Sequence, residues 1–119
     1  MARILIVDDE EMLLRSAQRW LKRDFAVETA PHSRSALELL AQGTFDIVFS
    51  DNDMEDRDEG IRFLVRVGEL YPLVGRFLTS GRLVPSEAVQ YRFDGFLPKP
   101  YGMPFVIATF RDYLAKRNV

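Results

Sequence analysis

Short runs of β-branched and aromatic residues alternate with amphipathic stretches along the whole chain, and that alternation leaves few folds open. Ala2 to Val7, Phe25 to Thr29, Phe45 to Ser50, Val74 to Thr79 and Phe93 to Leu97 read as strands. Between the first two, Glu10 to Arg23 puts Leu13, Leu14, Ala17 and Leu21 on one helical face. Ser33 is placed to cap a helix that carries Ala36, Leu37 and Leu40 inward and ends at Gly43. After Gly60, Phe63, Leu64, Val67 and Leu70 share one side until Pro72 stops the turn pattern. Pro85 to about Tyr91 supports at best a short helix. Pro104 opens a final helix with Met103, Val106, Ile107, Phe110 and Leu114 inward. Such βα units predict an α/β protein with a doubly wound, five-stranded parallel sheet covered on both faces. Right-handed crossovers restrict the possible strand orders, and one known doubly wound order, 2-1-3-4-5, puts strands 1 and 3 side by side at the switch point.

Bulk properties narrow the function classes. At 119 residues the chain reads as a single domain over 1–119, long enough to bury about two-thirds of its unfolded surface. A net charge of −2 gives no support to nucleic acid or a membrane surface as the main partner. There is no cysteine, which excludes disulfides and thiolate chemistry. The first residues run directly into a strand, without the pattern of a signal peptide, and no apolar run approaches the roughly 20 residues that span a bilayer. The expectation is a soluble, cytoplasmic chain.

The chemistry gathers at strand ends. Asp51 stands where the central strand leaves the sheet, at the C-terminal edge where open α/β sheets bind ligands. Asp8 and Asp9 end the first buried run in the same way. Adjacent strands would make these carboxylates converge, and their repulsion in a partly dry site is on the order of several kcal/mol unless a cation is present. Thr79 and Lys99, at the ends of the fourth and fifth strands, would line the other side of the crevice.

This constellation resembles the receiver domain of two-component response regulators: an acid pair, Asp8-Asp9, after strand 1, Asp51 after strand 3, Thr79 after strand 4, and Lys99-Pro100 after strand 5. The resemblance covers the whole chain and implies a flavodoxin-like (βα)5 fold. It makes Asp51 the acceptor of a phosphoryl group from a sensor histidine kinase or phosphotransfer protein, with Mg²⁺ as cofactor. Asp9 and Asp51 would bind the metal directly, Asp8 chiefly through water, and Asp53 through its backbone carbonyl. Lys99 and Thr79 would contact phosphoryl oxygens. Thr79 and Phe96 would switch the face made by the fourth helix, fifth strand and final helix. An effector domain or downstream protein would read that face, and phosphorylation could drive homodimerisation. The family also tends to have a cis bond before the proline that Pro100 matches.

Some residues depart from the family pattern. Met54 is followed by Glu55 where proline is usual, and Asp51, Asp53, Glu55, Asp56, Asp58 and Glu59 crowd one loop, a field that would slow anionic phosphodonors. Ser80 stands where alanine is frequent, and the stretch from Thr79 to Lys99 is short. Each feature alone has an ordinary reading: Asp8 and Asp9 as helix-start charges, Asp51 as a loop acid, Thr79 as a turn residue, Lys99 as surface charge, Phe96 as core. His32 reads as an exposed loop residue without a role, and Phe105 as exposed, for a partner or for packing on the short fourth helix. Two other functions share these residues: a docking module independent of phosphorylation, and a haloacid-dehalogenase-type phosphatase using Asp51-Asn52-Asp53. A calcium loop fails, because Asp56 and Arg62 stand where glycine and glutamate are needed. The chain reads as regulatory, with self-phosphorylation and self-dephosphorylation as its only enzymatic chemistry.

Overall fold

The computed structural model describes residues 1–82 and 91–117. Its strands are β1 (Arg3–Val7), β2 (Ala26–Ala30), β3 (Ile47–Asp51), β4 (Gly75–Ser80) and β5 (Gly95–Pro98), and its helices are α1 (Glu11–Leu21), α2 (Ser33–Gln42), α3 (Glu59–Leu70) and α4 (Met103–Arg117). The sheet has five strands in the order β2-β1-β3-β4-β5, all paired in parallel. The doubly wound order expected from the sequence is therefore the one observed. The short helix expected from Pro85 to about Tyr91 lies, apart from Tyr91 itself, outside the described residues.

Alternation along each strand sends side chains into two separate cores. Leu5, Val7, Val48 and Leu78 face α2 and α3, meeting Ala36, Leu40, Leu64 and Val67. Ile4, Ile6, Ile47, Phe49, Phe77 and Leu97 face α1 and α4, meeting Leu14, Ala17, Leu21, Val106 and Phe110. On that second face Phe110 is the hub, with its ring 5.5 Å from Phe49 and 5.2 Å from Phe77. Tilted aromatic contacts of this kind add about 0.5–1.5 kcal/mol each beyond area burial. The two cores fix both faces of β3, so every residue from Ile47 to Asp51 is buried.

The sequence placed most helix ends within two residues, and the exceptions have local causes. α2 begins with Ser33 as its first helical residue, because His32 is the cap: its Nδ1 accepts the Ser35 backbone N–H at 3.2 Å. His32 is thus half-buried and structural, a correction to its reading as a loop residue without a role. α3 begins before Gly60, with Asp58 in the left-handed region at φ 61° as its N-terminal boundary. The Lys99–Pro100 bond is cis. No described helix is long and apolar enough to cross a membrane.

Gly60 is where the loop after β3 closes onto the sheet. A Cβ built there would lie 2.0 Å from the Asp51 carbonyl oxygen and 2.6 Å from Asn52 Cα, both backbone atoms that cannot step aside. Gly60→Ala should therefore destabilise the fold by about 3 kcal/mol or more in urea titration, at the upper end of overpacking costs. Gly81→Ala meets nothing within 4 Å among the described residues and should cost far less.

Candidate functional site

The crevice forms at the C-terminal ends of β1, β3, β4 and β5, where hydrogen bonds carry the sheet one step past its strands. Asp8 N–H donates to the Ala30 carbonyl at 3.1 Å, Asn52 N–H to the Thr79 carbonyl at 2.8 Å and Lys99 N–H to the Ser80 carbonyl at 3.0 Å. Within the ladder Asp51 is registered against Thr79. These bonds hold the backbone of Asp8, Asn52 and Lys99 to the sheet.

Asp8, Asp9 and Asp51 come together: one carboxylate oxygen from each lies within 4.8 Å of the others. Asp8 and Asp51 are buried and Asp9 is exposed. Lys99 reaches between the two buried acids, with Nζ 3.1 Å from Asp8 Oδ2 and 3.3 Å from Asp51 Oδ1. The other Asp8 oxygen accepts the Glu10 N–H at 2.9 Å and ties the acid pair to the start of α1. Burial, then the neighbouring Asp8, push Asp51 up to about 6, against the pull of Lys99 in the other direction. Lys99 itself sits above its ordinary value: burial pulls it down, but Asp8 and Asp51 together outweigh that pull.

The Thr79 hydroxyl is buried and has no hydrogen-bond partner among the described residues. The same holds for the Tyr101 hydroxyl, whose ring packs 5.3 Å from that of Phe49. Burial and the nearby Asp8 and Asp51 raise its pKa. Phe96 lies on the edge strand β5, 43% exposed and paired in register with Leu78. Phe105, at the start of α4, is 59% exposed, as the sequence indicated.

The loop from 52 to 58 carries groups that sequence reasoning missed. Asn52 is fully buried: its Oδ1 accepts the Ile61 N–H at 3.1 Å and its Nδ2 donates to Asp58 at 2.9 Å. Arg82 donates to both oxygens of Asp53, at 2.8 and 3.0 Å, and also to Asp58. That guanidinium holds the Asp53 carboxyl below its usual range, despite partial burial. Glu59 accepts the Ser33 hydroxyl at 2.8 Å and the Asp56 N–H at 3.2 Å; burial pushes its carboxyl up, but these bonds outweigh it and hold the group low. Three acids of the crowded loop are therefore engaged. The one available signal for Arg82 was its place, three residues beyond Thr79 at a strand end.

A raised carboxyl has a definite sign in stability. Between about 4 and 6 the folded protein holds the Asp51 proton that the unfolded chain has lost, so its stability falls as pH rises through that window and stays lower above it. Asp51→Asn removes this dependence. In chelator, the variant should match wild type near pH 4 and exceed it above pH 6 by on the order of 1–3 kcal/mol. Parallel urea titrations across that range check the difference, which cancels the other carboxyls.

Comparisons with known proteins agree with the fold. A family model described as the response regulator receiver domain matches residues 4–111. The sensor kinase CckA of Brucella abortus is 31% identical over 98% of this chain, which covers 13% of that protein. The transcriptional regulatory protein CutR of Streptomyces coelicolor is 30% identical over 92% of this chain, which covers 52% of that protein. The chain thus spans about half or less of these two curated relatives. Among solved structures, the signal receiver domain of an HD domain-containing protein from Pseudomonas fluorescens Pf-5 superposes with a TM-score of 0.88 at 25% identity, covering 98% of this chain and 97% of that one. A CheY-like receiver domain protein from Methanospirillum hungatei reaches 0.92 at 23% identity over 99% and 97%, a likeness of fold.

Proposed function

The chain belongs to the response regulator receiver domain family, and from that premise we propose that Asp51 accepts a phosphoryl group from a histidine kinase or phosphotransfer protein. The observation that carries the reading is the pairing of buried Asp51 with Lys99 at 3.3 Å, beside a Thr79 hydroxyl without a partner among the described residues. A nucleophilic carboxylate, a cation and a hydroxyl donor are the parts that phosphoryl transfer requires, since its catalysis is mainly positioning and charge stabilisation.

The residues fit Mg²⁺. Three carboxylates against one Lys99 ammonium leave an excess of negative charge that a divalent ion balances, and an all-oxygen donor set with room for water is what Mg²⁺ takes. Asp9 and Asp51 would hold it directly, Asp8 through water, and the Asp53 carbonyl would complete the protein's share. When bound, the ion supplies charge neutralisation for the anionic phosphoryl group. An Asp51 oxygen attacks phosphorus in line. The new P–O bond forms as the P–N bond to the donor histidine breaks, and the electron pair leaves with the imidazole nitrogen, which takes up a proton. Lys99 turns from Asp51 toward a phosphoryl oxygen, and the Thr79 hydroxyl donates to another. Phe96, already half-exposed on β5, moves inward behind Thr79 and changes the surface offered to an effector domain or to a second copy.

Intact-mass measurement after incubation with Mg²⁺ and acetyl phosphate should show one added phosphoryl group in wild type. It should show none in Asp51→Asn and none in chelator. Wild type left unmodified by several donors would favour a docking module independent of phosphorylation. Lys99→Ala should keep or strengthen Mg²⁺ binding, since a nearby ammonium is removed. Amide shifts along β5 on phosphorylation should shrink in that variant; a full set of shifts would exclude the role given to Lys99.

A further inference from the structure

Arg82 occupies the rim of the crevice, where the chain turns out of β4. Its guanidinium is bidentate on Asp53 and reaches Asp58 as well. The same turn adds neutral contacts: Arg82 N–H donates to Ser80 Oγ at 3.2 Å, and Ser80 Oγ lies 3.5 Å from Asp53 Oδ2. One cation thus spans the mouth from the strand that carries Thr79 to the loop that follows Asp51. It is 30% exposed, so its charge acts partly through solvent and partly through the protein.

The loop makes that placement consequential. Glu59 is turned away toward Ser33, while Glu55 and Asp56 are exposed. Asp53 and Asp58 are the acids tied across the rim, and Arg82 is what they face there. Resting on the phosphoacceptor reading, we infer that Arg82 is a positioning residue for phosphorylation: it offsets one of the two negative charges of Asp53 and Asp58 at the crevice mouth and so eases the approach of an anionic phosphodonor. The loop's acidity is thereby reduced at the rim, where the two acids and Arg82 together carry one negative charge instead of two. Bidentate geometry suits arginine better than lysine, but the charge effect needs only a cation.

Electrostatic steering of a charged substrate changes rates by about ten- to a thousandfold and weakens with salt, which a purely architectural role does not. The test is the rate of phosphoryl uptake from acetyl phosphate under saturating Mg²⁺, followed by intact mass at low and high ionic strength. Arg82→Gln should be about tenfold slower than wild type at low salt and converge toward it at high salt. Arg82→Lys should stay near wild type. Adding Asp58→Asn to Arg82→Gln should recover part of the rate, and Asp58→Asn alone, which does not depend on the Arg82 variants folding, should raise the low-salt rate. A deficit in Arg82→Gln that is equal at all salt concentrations and unrelieved by Asp58→Asn would overturn the inference, as would no deficit at all. Both of these leave the phosphoacceptor reading intact. Wild type that takes up no phosphoryl group overturns that reading, and this inference with it.

Discussion

Everything at the C-terminal edge of the sheet answers to the crowding of Asp8, Asp9 and Asp51 around one ammonium. Two of these acids are buried, and their charges sit within a few ångströms of each other. A fold tolerates such an arrangement only when something offsets it. Lys99 offsets part, at 3.1 and 3.3 Å from the buried pair. Burial first, and the remaining repulsion from Asp8 second, push the Asp51 carboxyl up to about 6. The rigid sheet maintains the crowding, since β3 is buried along its whole length by two independent cores. A site held this way is poised to gain from a divalent cation.

The loop after Asp51 distributes its charge in two directions. Glu59 goes to the start of α2, Asp53 and Asp58 go to Arg82, and buried Asn52 ties the loop's two ends to each other. Gly60 closes the loop at van der Waals limits against Asp51, so the backbone that presents Asp51 and the backbone that starts α3 are one packed unit. Counted along the chain, the loop reads as an anionic patch. Its folded form is a network in which several of those anions are internal partners.

Much of the architecture could be read from residue order because it rests on local periodicity. The uninterrupted apolar runs Ile4–Val7 and Ile47–Phe49 mark strands covered on both faces, and the acids that end them mark the candidate edge of the sheet. The doubly wound order 2-1-3-4-5 set Asp8, Asp9 and Asp51 around one crevice with Lys99 across from them, and the resemblance to receiver domains supplied their roles. What escaped depends on side chains meeting across large sequence separations or on local backbone shape. His32 caps α2 only because the chain there is extended into the turn. Arg82 finds Asp53 and Asp58 across 29 and 24 positions, and no local pattern marks a surface arginine for such a contact. Likewise, that the Thr79 and Tyr101 hydroxyls lack partners among the described residues becomes evident only when their surroundings are filled in.

The central claim is that the three carboxylates form one site whose charge calls for a cation. The direct measurement is calorimetric titration of Mg²⁺ into the protein at a series of pH values from about 5 to 8, spanning the Asp51 carboxyl. An Asp51 carboxyl near 6 must lose its proton to become a ligand, so affinity should weaken steadily below that pH, with proton release visible as a buffer-dependent heat. Affinity that stays flat across the range, with no released proton, would contradict a shared site.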